Sequence, residues 1–376
     1  MRKGKVTWLP IVTVFLSAAW SKADPPYFMG LGFLPDSTES HSYGISGDGH
    51  VVTGYSYGSP YEAFRWTLQD GMVGLGILPG STSGSSGAGA SNDGSVIAGT
   101  TGSQAFRWTQ TGGMVGLGSV PSGLGSTAHG ISGDGSVIVG EAHMIFGDYA
   151  FRWTANTGMV SLGKLPGGSF TDSRAFGVSA DGNVIVGYSD STPGYQAFRW
   201  SQADGMVGLG DLPGGSFGSS ALGASADGLA IVGSSWTSQG TEAFRWTAAT
   251  GMIGLGVLPG GIFWGSSANA VSEDGYTVVG NSRNQVGDDE AFIWDPANGI
   301  RSVRSVLETT YHLNMSAWSL SDAVSISTDG LTITGIGRGP SGGTQAWVAH
   351  LPEPITAVLL LPFGILRPPR RNYQTC

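Results

Sequence analysis

The sequence is poor in charge, nearly without cysteine and lacking any stretch that reads as a long helix. Only 12% of its 376 residues are charged, with 18 Lys and Arg against 27 Asp and Glu, a net charge of −9. That sign disfavours nucleic acid and anionic membrane surfaces as partners, because both are themselves negative. The single cysteine is Cys376, the last residue, which excludes an intrachain disulfide framework and a cysteine-based metal site. Sustained helical periodicity is missing except around Val303 to Glu308. No Ser/His/Asp set, zinc-ligand spacing or phosphate-binding loop stands out, and the Gly-x-Gly triplets lack the following helix that dinucleotide binding needs. No cofactor and no metal are therefore expected. The six histidines, His41, His50, His129, His143, His312 and His350, stand at non-equivalent places, which reads as tolerance rather than chemistry.

What the chain has instead is glycine, 64 residues of it, within a sequence that is 40% hydrophobic. Without a three-residue period these glycines mark turns, and the abundance of Val, Ile, Phe and Trp argues against disorder. An Asp-Gly pair recurs at Asp48, Asp93, Asp134, Asp181, Asp227, Asp274 and Asp329, at steps of 45, 41, 47, 46, 47 and 55 residues. Each unit resolves into four short segments: Met-Val-Gly-Leu-Gly, Ala-x-Gly-Ile-Ser, Ser-Val-Ile-Val-Gly after the Asp-Gly pair, and Ala-Phe-Arg-Trp. All four are β-branched or aromatic and bounded by turn residues, as strands are. Seven sets of four predict 28 strands and one seven-bladed β-propeller over residues 28–350, built of four-stranded antiparallel blades.

Trp66, Trp108, Trp153, Trp200, Trp246 and Trp294 read as core, each ring contributing about 2–3 kcal/mol on burial. The recurring Arg65, Arg107, Arg152, Arg199 and Arg245 become Ile293 and Val348 in the last two units while Asp274 and Asp329 persist. The aspartates therefore belong to turns, where Asp caps its own backbone and Gly takes positive φ. The arginines are expected to pack their stems and set their forks on backbone carbonyls.

Loop lengths predict one uniform and one variable face. The variable one carries Tyr57, Tyr61, Phe146, Tyr149, Tyr195 and Trp236 among serines and glycines, and these are the candidate binding residues. No catalytic residue is nominated. For an enzyme, carboxylates would have to converge from different blades, and Glu141, Asp148, Asp190, Asp288, Asp289 and Glu290 are the candidates.

Both ends look like addresses. Arg2, Lys3 and Lys5 precede an apolar run from Val6 to Ala19, followed by Ser21-Lys22-Ala23, the layout of a secretory signal over residues 1–23. The run is shorter than the roughly 20 residues needed to span a bilayer. At the other end Pro352-Glu353-Pro354 leads into the apolar run Ile355 to Leu366 and then Arg367, Arg370 and Arg371.

Ala-Phe-Arg-Trp-Thr, Gly-Met-Val-Gly-Leu-Gly, Leu-Pro-Gly-Gly and Ser-x-Asp-Gly-x-Val-Ile-Val-Gly recur in fixed order over most of residues 28–300 and resemble the bacterial extracellular repeats of the HAF family. The chain departs from the family name, since Glu62, Gln104, Tyr149, Gln196, Glu242 or Glu290 stands before Ala-Phe, never His. Residues 352–376 resemble a PEP-CTERM sorting tail. These resemblances imply an exported, surface-associated protein, with a membrane met only through the tail, and carry over no catalytic residue. The expected function is a non-enzymatic module of the cell envelope or matrix that binds extracellular glycan or a cell-surface protein. The alternative is an extracellular polysaccharide hydrolase or lyase with acidic residues at the central opening.

Overall fold

Four strands per repeat form one antiparallel blade, and seven such blades stand in a ring, two of them joined by a short parallel pairing of Gly240 and Thr241 with Trp264 and Gly265. The computed structural model describes residues 25–168, 172–192, 194–261, 264–284 and 286–352. The expected leader (1–23) and all but Pro352 of the expected tail (352–376) lie outside the described residues. Blade 1 comprises Glu39–Ile45, Val52–Tyr57, Glu62–Thr67 and Gly71–Gly74; blade 2, Ser85–Ala90, Val96–Thr101, Gln104–Thr109 and Gly113–Gly116. Blade 3 comprises Gly125–Ile131, Val137–Met144, Gly147–Thr154 and Gly158–Gly163; blade 4, Ser173–Val178, Val184–Asp190, Tyr195–Ser201 and Gly205–Gly208. Blade 5 comprises Ser219–Ala224, Ala230–Thr237, Gly240–Thr247 and Gly251–Gly256; blade 6, Trp264–Val271, Val278–Arg283, Asp289–Asp295 and Gly299–Ser302. Blade 7 takes Ser319–Ile326, Thr332–Arg338 and Thr344–His350 from the end of the chain and Tyr27–Gly30 from its beginning. The result is a seven-bladed β-propeller, with one short helix among the described residues, Val303–Thr309, between blades 6 and 7. That helix falls where the sequence showed its one helical stretch, capped by the Ser302 hydroxyl, which accepts from the Ser305 N–H.

The ring closes through its ends. Phe28 pairs with Ala349 and Met29 with Val348, and the Tyr27 ring stacks on His350 at 5.5 Å. The Ala-Phe-Arg-Trp to Gly-Met-Val-Gly hairpin thus lies within a blade, its second arm forming the outermost strand. The innermost strands line the central channel.

Burial explains the strand chemistry. Val137, Ile138 and Val139 are all buried, as a strand covered on both faces requires. Phe64, Phe106, Phe151, Phe198, Phe244 and Phe292 are fully buried between neighbouring blades. The tryptophans two residues on are a correction to expectation: Trp66 is buried, whereas Trp108, Trp153, Trp200, Trp246 and Trp294 are half-buried. They sit near the hairpin turn, opposite Met114, Met159, Met206, Met252 and Ile300, where the adjoining blade covers only part of each ring. Gly140, the glycine that ends Val-Ile-Val-Gly, is fixed by a close approach, since a Cβ there would lie 1.9 Å from the Thr127 carbonyl oxygen.

The Asp-Gly turn is the same in all seven blades. In blade 3 the Ser132 hydroxyl donates to Asp134 Oδ1 (2.7 Å) and accepts from the Val137 N–H (2.9 Å), while Asp134 Oδ1 accepts from the Ser136 N–H and Gly135 takes φ 70°. The aspartates serve the turns, as the sequence implied. These turns also join one another around the channel through backbone bonds: Asp48 N–H to Asn92 O, Asn92 N–H to Gly133 O, Gly133 N–H to Ala180 O, Ala180 N–H to Ala226 O, Glu273 N–H to Thr328 O and Thr328 N–H to Gly47 O.

A second seam runs deeper between blades. The buried Ser173 hydroxyl accepts from the Ala150 N–H of blade 3 (2.9 Å) and donates to the Gly163 carbonyl (2.6 Å). Ser40, Ser85, Ser126, Ser219 and Ser266 repeat the arrangement. At the interface of blades 6 and 7 the buried Leu320 stands in the serine's place, within an apolar cluster with Val303, Leu307 and Met315.

Candidate functional site

The repeats are nearly interchangeable along the turns and the core, and they differ where the innermost strand meets the second strand on the loop side. Here the cross-strand partners are His41 and Tyr55, Ser86 and Thr100, Thr127 and Glu141, Arg174 and Tyr188, Ser220 and Ser234, Ser267 and Asn281, and Asp322 and Ile336. Two residues on, the channel receives Tyr43, Ala88, His129, Phe176, Leu222, Asn269 and Val324, which line a cavity of about 230 Å³. A scaffold that is constant elsewhere presents its variety at this mouth.

In blade 1 the variety is aromatic. His41 lies flat on Tyr55 at 4.8 Å, and Tyr55 meets Tyr61 edge-on at 5.7 Å. Burial, then the neighbouring Tyr43, pushes the Tyr55 hydroxyl up to about 12.

Across blades 3 and 4 it is ionic. Arg174 Nε lies 2.8 Å from Glu141 Oε2, an ion pair rather than an aligned hydrogen bond, and its Nη2 donates to Asp148 Oδ2 at 3.0 Å. His143 bridges Asp148 (3.0 Å) and Thr127 (3.0 Å), and His129 lies 3.7 Å from Glu141. Burial pushes the Glu141 carboxyl up, but the hydrogen bond and charge of His129 and the charge of Arg174 outweigh it and leave the group below its ordinary value. Asp172, 3.6 Å from Arg174, moves the other way, because burial and the nearby Asp148 and Glu141 outweigh the guanidinium. Glu141, His143 and Asp148 bring one ligand atom each to within 4.8 Å of one another, a spacing open to a metal ion. Arg174 already holds both carboxylates, so a cation would have to displace it.

Between blades 4 and 5 the mouth opens into a cavity of about 350 Å³ walled by Tyr188, Tyr195, Phe217 and Trp236. Tyr188 and Tyr195 meet edge-on at 5.3 Å, and Trp236 remains 58% exposed. Ser220 and Ser234 also line it, and their hydroxyls make no hydrogen bond to any described residue. A second cavity, of about 540 Å³, lies between blades 6 and 7 and is lined by Asp288, Asp289, Glu290, Arg304 and Arg338. Near it, the Asn269 amide donates to Asp322 Oδ1 (2.7 Å), and burial pushes the Asp322 carboxyl up to about 7.

Of the six candidate aromatics, the fold brings Tyr195 and Trp236 together across one cavity and sets Tyr61 in the blade 1 cluster. Tyr57 and Phe146 are exposed apart from these groups, and Tyr149 is half-buried opposite Ala142. Of the candidate carboxylates, Glu141 and Asp148 meet, Asp190 is buried in blade 4, and Asp288, Asp289 and Glu290 gather two blades away. Tyr188, Phe217, Asp172 and Arg174 were not singled out from the sequence, and His129 and His143 were read there as tolerance rather than chemistry. Comparing the repeats at the variable cross-strand positions finds Arg174 and Tyr188, and His129 two residues beyond such a position.

No protein-family model and no curated protein matches the chain. Solved structures share the fold. An oligogalacturonate lyase from Vibrio parahaemolyticus aligns with a TM-score of 0.56 and 11% identity over 89% of this chain and 99% of its own. An oligogalacturonate lyase in complex with manganese aligns at 0.54 with 13% identity, over 88% and 98%. TolB from Acinetobacter baumannii aligns at 0.43 with 16% identity over 70% of this chain, which spans 63% of that protein. At such identities the likeness is one of fold alone.

Proposed function

We propose that the protein is an exported, surface-associated propeller that binds extracellular glycan on its loop face without transforming it. One observation carries this reading: the cavity between blades 4 and 5 offers the exposed rings of Tyr195 and Trp236 together with the uncommitted hydroxyls of Ser220 and Ser234. Sugar rings present apolar C–H faces and a rim of hydroxyls, and stacked aromatics with small polar groups complement both. The leader-like residues 1–23 and the HAF-like repeats support export. The oligogalacturonate lyases that share the fold act on an anionic sugar by name, but here Glu141, Asp148 and Asp172 border the mouth and would repel a uronate. Glu141, paired with Arg174 and held below its ordinary value, is also poorly disposed to donate a proton to a substrate.

The test is a glycan array probed with the purified chain, run beside an assay for new reducing ends. Binding without release is the expected outcome, with Trp236→Ala reducing binding at least about tenfold for the loss of one stacking face. Release of reducing ends, or binding indifferent to Trp236→Ala, would overturn the reading.

A further inference from the structure

The aromatic cavity and the ionic cluster share a wall. Asp172, at the edge of the innermost strand of blade 4, stands behind this wall: it accepts from the Tyr188 hydroxyl (3.5 Å), and its charge reaches the Tyr195 hydroxyl, whose pKa burial and then that carboxylate push up. Its other oxygen, Oδ1, lies 3.6 Å from Arg174 Nε and receives no hydrogen bond. Behind it stand Glu141 and Asp148, so three carboxylates face the single guanidinium of Arg174. That guanidinium is further engaged over the Tyr188 ring at 5.9 Å. Carboxylates thus outnumber guanidinium three to one beside the cavity, in a chain of net charge −9.

Resting on the glycan-binding reading, we infer that the cavity between blades 4 and 5 selects a sugar carrying a protonated amino group, a deacetylated hexosamine unit, with its ring against Tyr195 and Trp236 and its ammonium directed to Asp172. Aromatic walls favour such a ligand twice over, stacking on the C–H face and attracting the cation through their π-faces. Acetylation of the amine removes the charge and with it the reason for preference. A uronate brings the wrong sign to three carboxylates. The salt dependence follows as well, because attraction to a partly exposed carboxylate is screened by added ions.

The inference is tested by calorimetry on the full chain with four hexasaccharides: glucosamine oligomer, N-acetylglucosamine oligomer, neutral β-glucan and oligogalacturonate, at pH 6 and at low and high salt. The expected result is at least about tenfold tighter binding of the glucosamine oligomer than of its acetylated form at low salt, shrinking as salt rises. Asp172→Asn should abolish that preference, so that the free and acetylated oligomers bind alike, whereas Trp236→Ala should weaken all sugars that bind. Equal affinity for the acetylated and free amines overturns the inference and leaves glycan binding standing. So does a preference untouched by Asp172→Asn or by salt. Should none of the four bind, both readings fall. If Asp172→Asn proves poorly folded, the salt series on the unaltered protein decides.

Discussion

Ile293 lies opposite Arg301, the inverse of the pairing in blades 1 to 5, where an arginine on the third strand faces a β-branched residue on the outermost. There Arg65 faces Val73, Arg107 Val115, Arg152 Val160, Arg199 Val207 and Arg245 Ile253. In blade 6 the guanidinium has crossed to the partner strand and found Asp295, much as Arg65 finds Asp70 and Arg199 finds Asp204. The unit at each site is thus one apolar and one cationic side chain side by side, in either order.

From this pairing, Ile293→Arg alone sets two guanidiniums face to face and should cost about 0.5–1 kcal/mol. Adding Arg301→Val restores the usual order and should recover most of the loss. Thermal melts of the two single variants and the double variant, taken as a mutant cycle, measure the coupling.

The serine seam predicts a sharper penalty. Ser173→Ala leaves the Ala150 N–H and the Gly163 carbonyl without their shared partner in a buried interface, which should destabilise the protein by about 1–3 kcal/mol. Urea denaturation with an unchanged slope reads the loss. An exposed control such as Ser136→Ala should leave the midpoint nearly in place, because the Ser136 main-chain N–H still reaches Asp134.

Removing residues 25–31 deletes the outermost strand of blade 7 and bares the edge of Thr344–His350. A melting temperature lower by about 10 °C or more is expected, given four ladder positions and the burial of Leu31 against Ala346 and Val348. An unchanged transition would contradict closure through the chain ends.

The acid response should have two opposing parts. Asp322, pushed up to about 7, binds its proton more tightly folded than unfolded. Its stabilisation is therefore complete below about pH 4 and is lost as pH rises through about 7. Asp93 is held down to about 2 by the Ser95 backbone N–H and the Ser91 hydroxyl, and Asp134 and Asp181 are lowered by equivalent contacts. Their contribution is present above about pH 4 and is lost as pH falls toward 2. Melting curves from pH 2 to 8 should show both limbs. Asp322→Asn should flatten the decline between pH 4 and 7 and melt higher than the parent at pH 8.

The propeller was legible because each repeat is locally self-consistent: turn chemistry, strand length and apolar alternation all state the same unit, and counting units gives the ring. The tryptophans misled because their burial depends on how far the next blade extends along the strand, which no single repeat records. The loss of arginine at Ile293 looked like an isolated change because its partner, Arg301, is visible only through strand register. The site was less legible for the same reason. Tyr195 and Trp236 could be named as aromatics on loop-side segments, but their meeting depends on packing between blades 4 and 5. His129, read as tolerance, touches Glu141 through a contact set by cross-strand geometry rather than by spacing in the chain.

The pairing of Tyr27–Gly30 with Thr344–His350 also imposes an order in time. Tyr27–Gly30 is made before Thr344–His350 and must wait for it, so a chain that has not reached Thr344 carries a raw sheet margin, open to any stray strand. The ring is therefore completed only once that late strand has been made and paired.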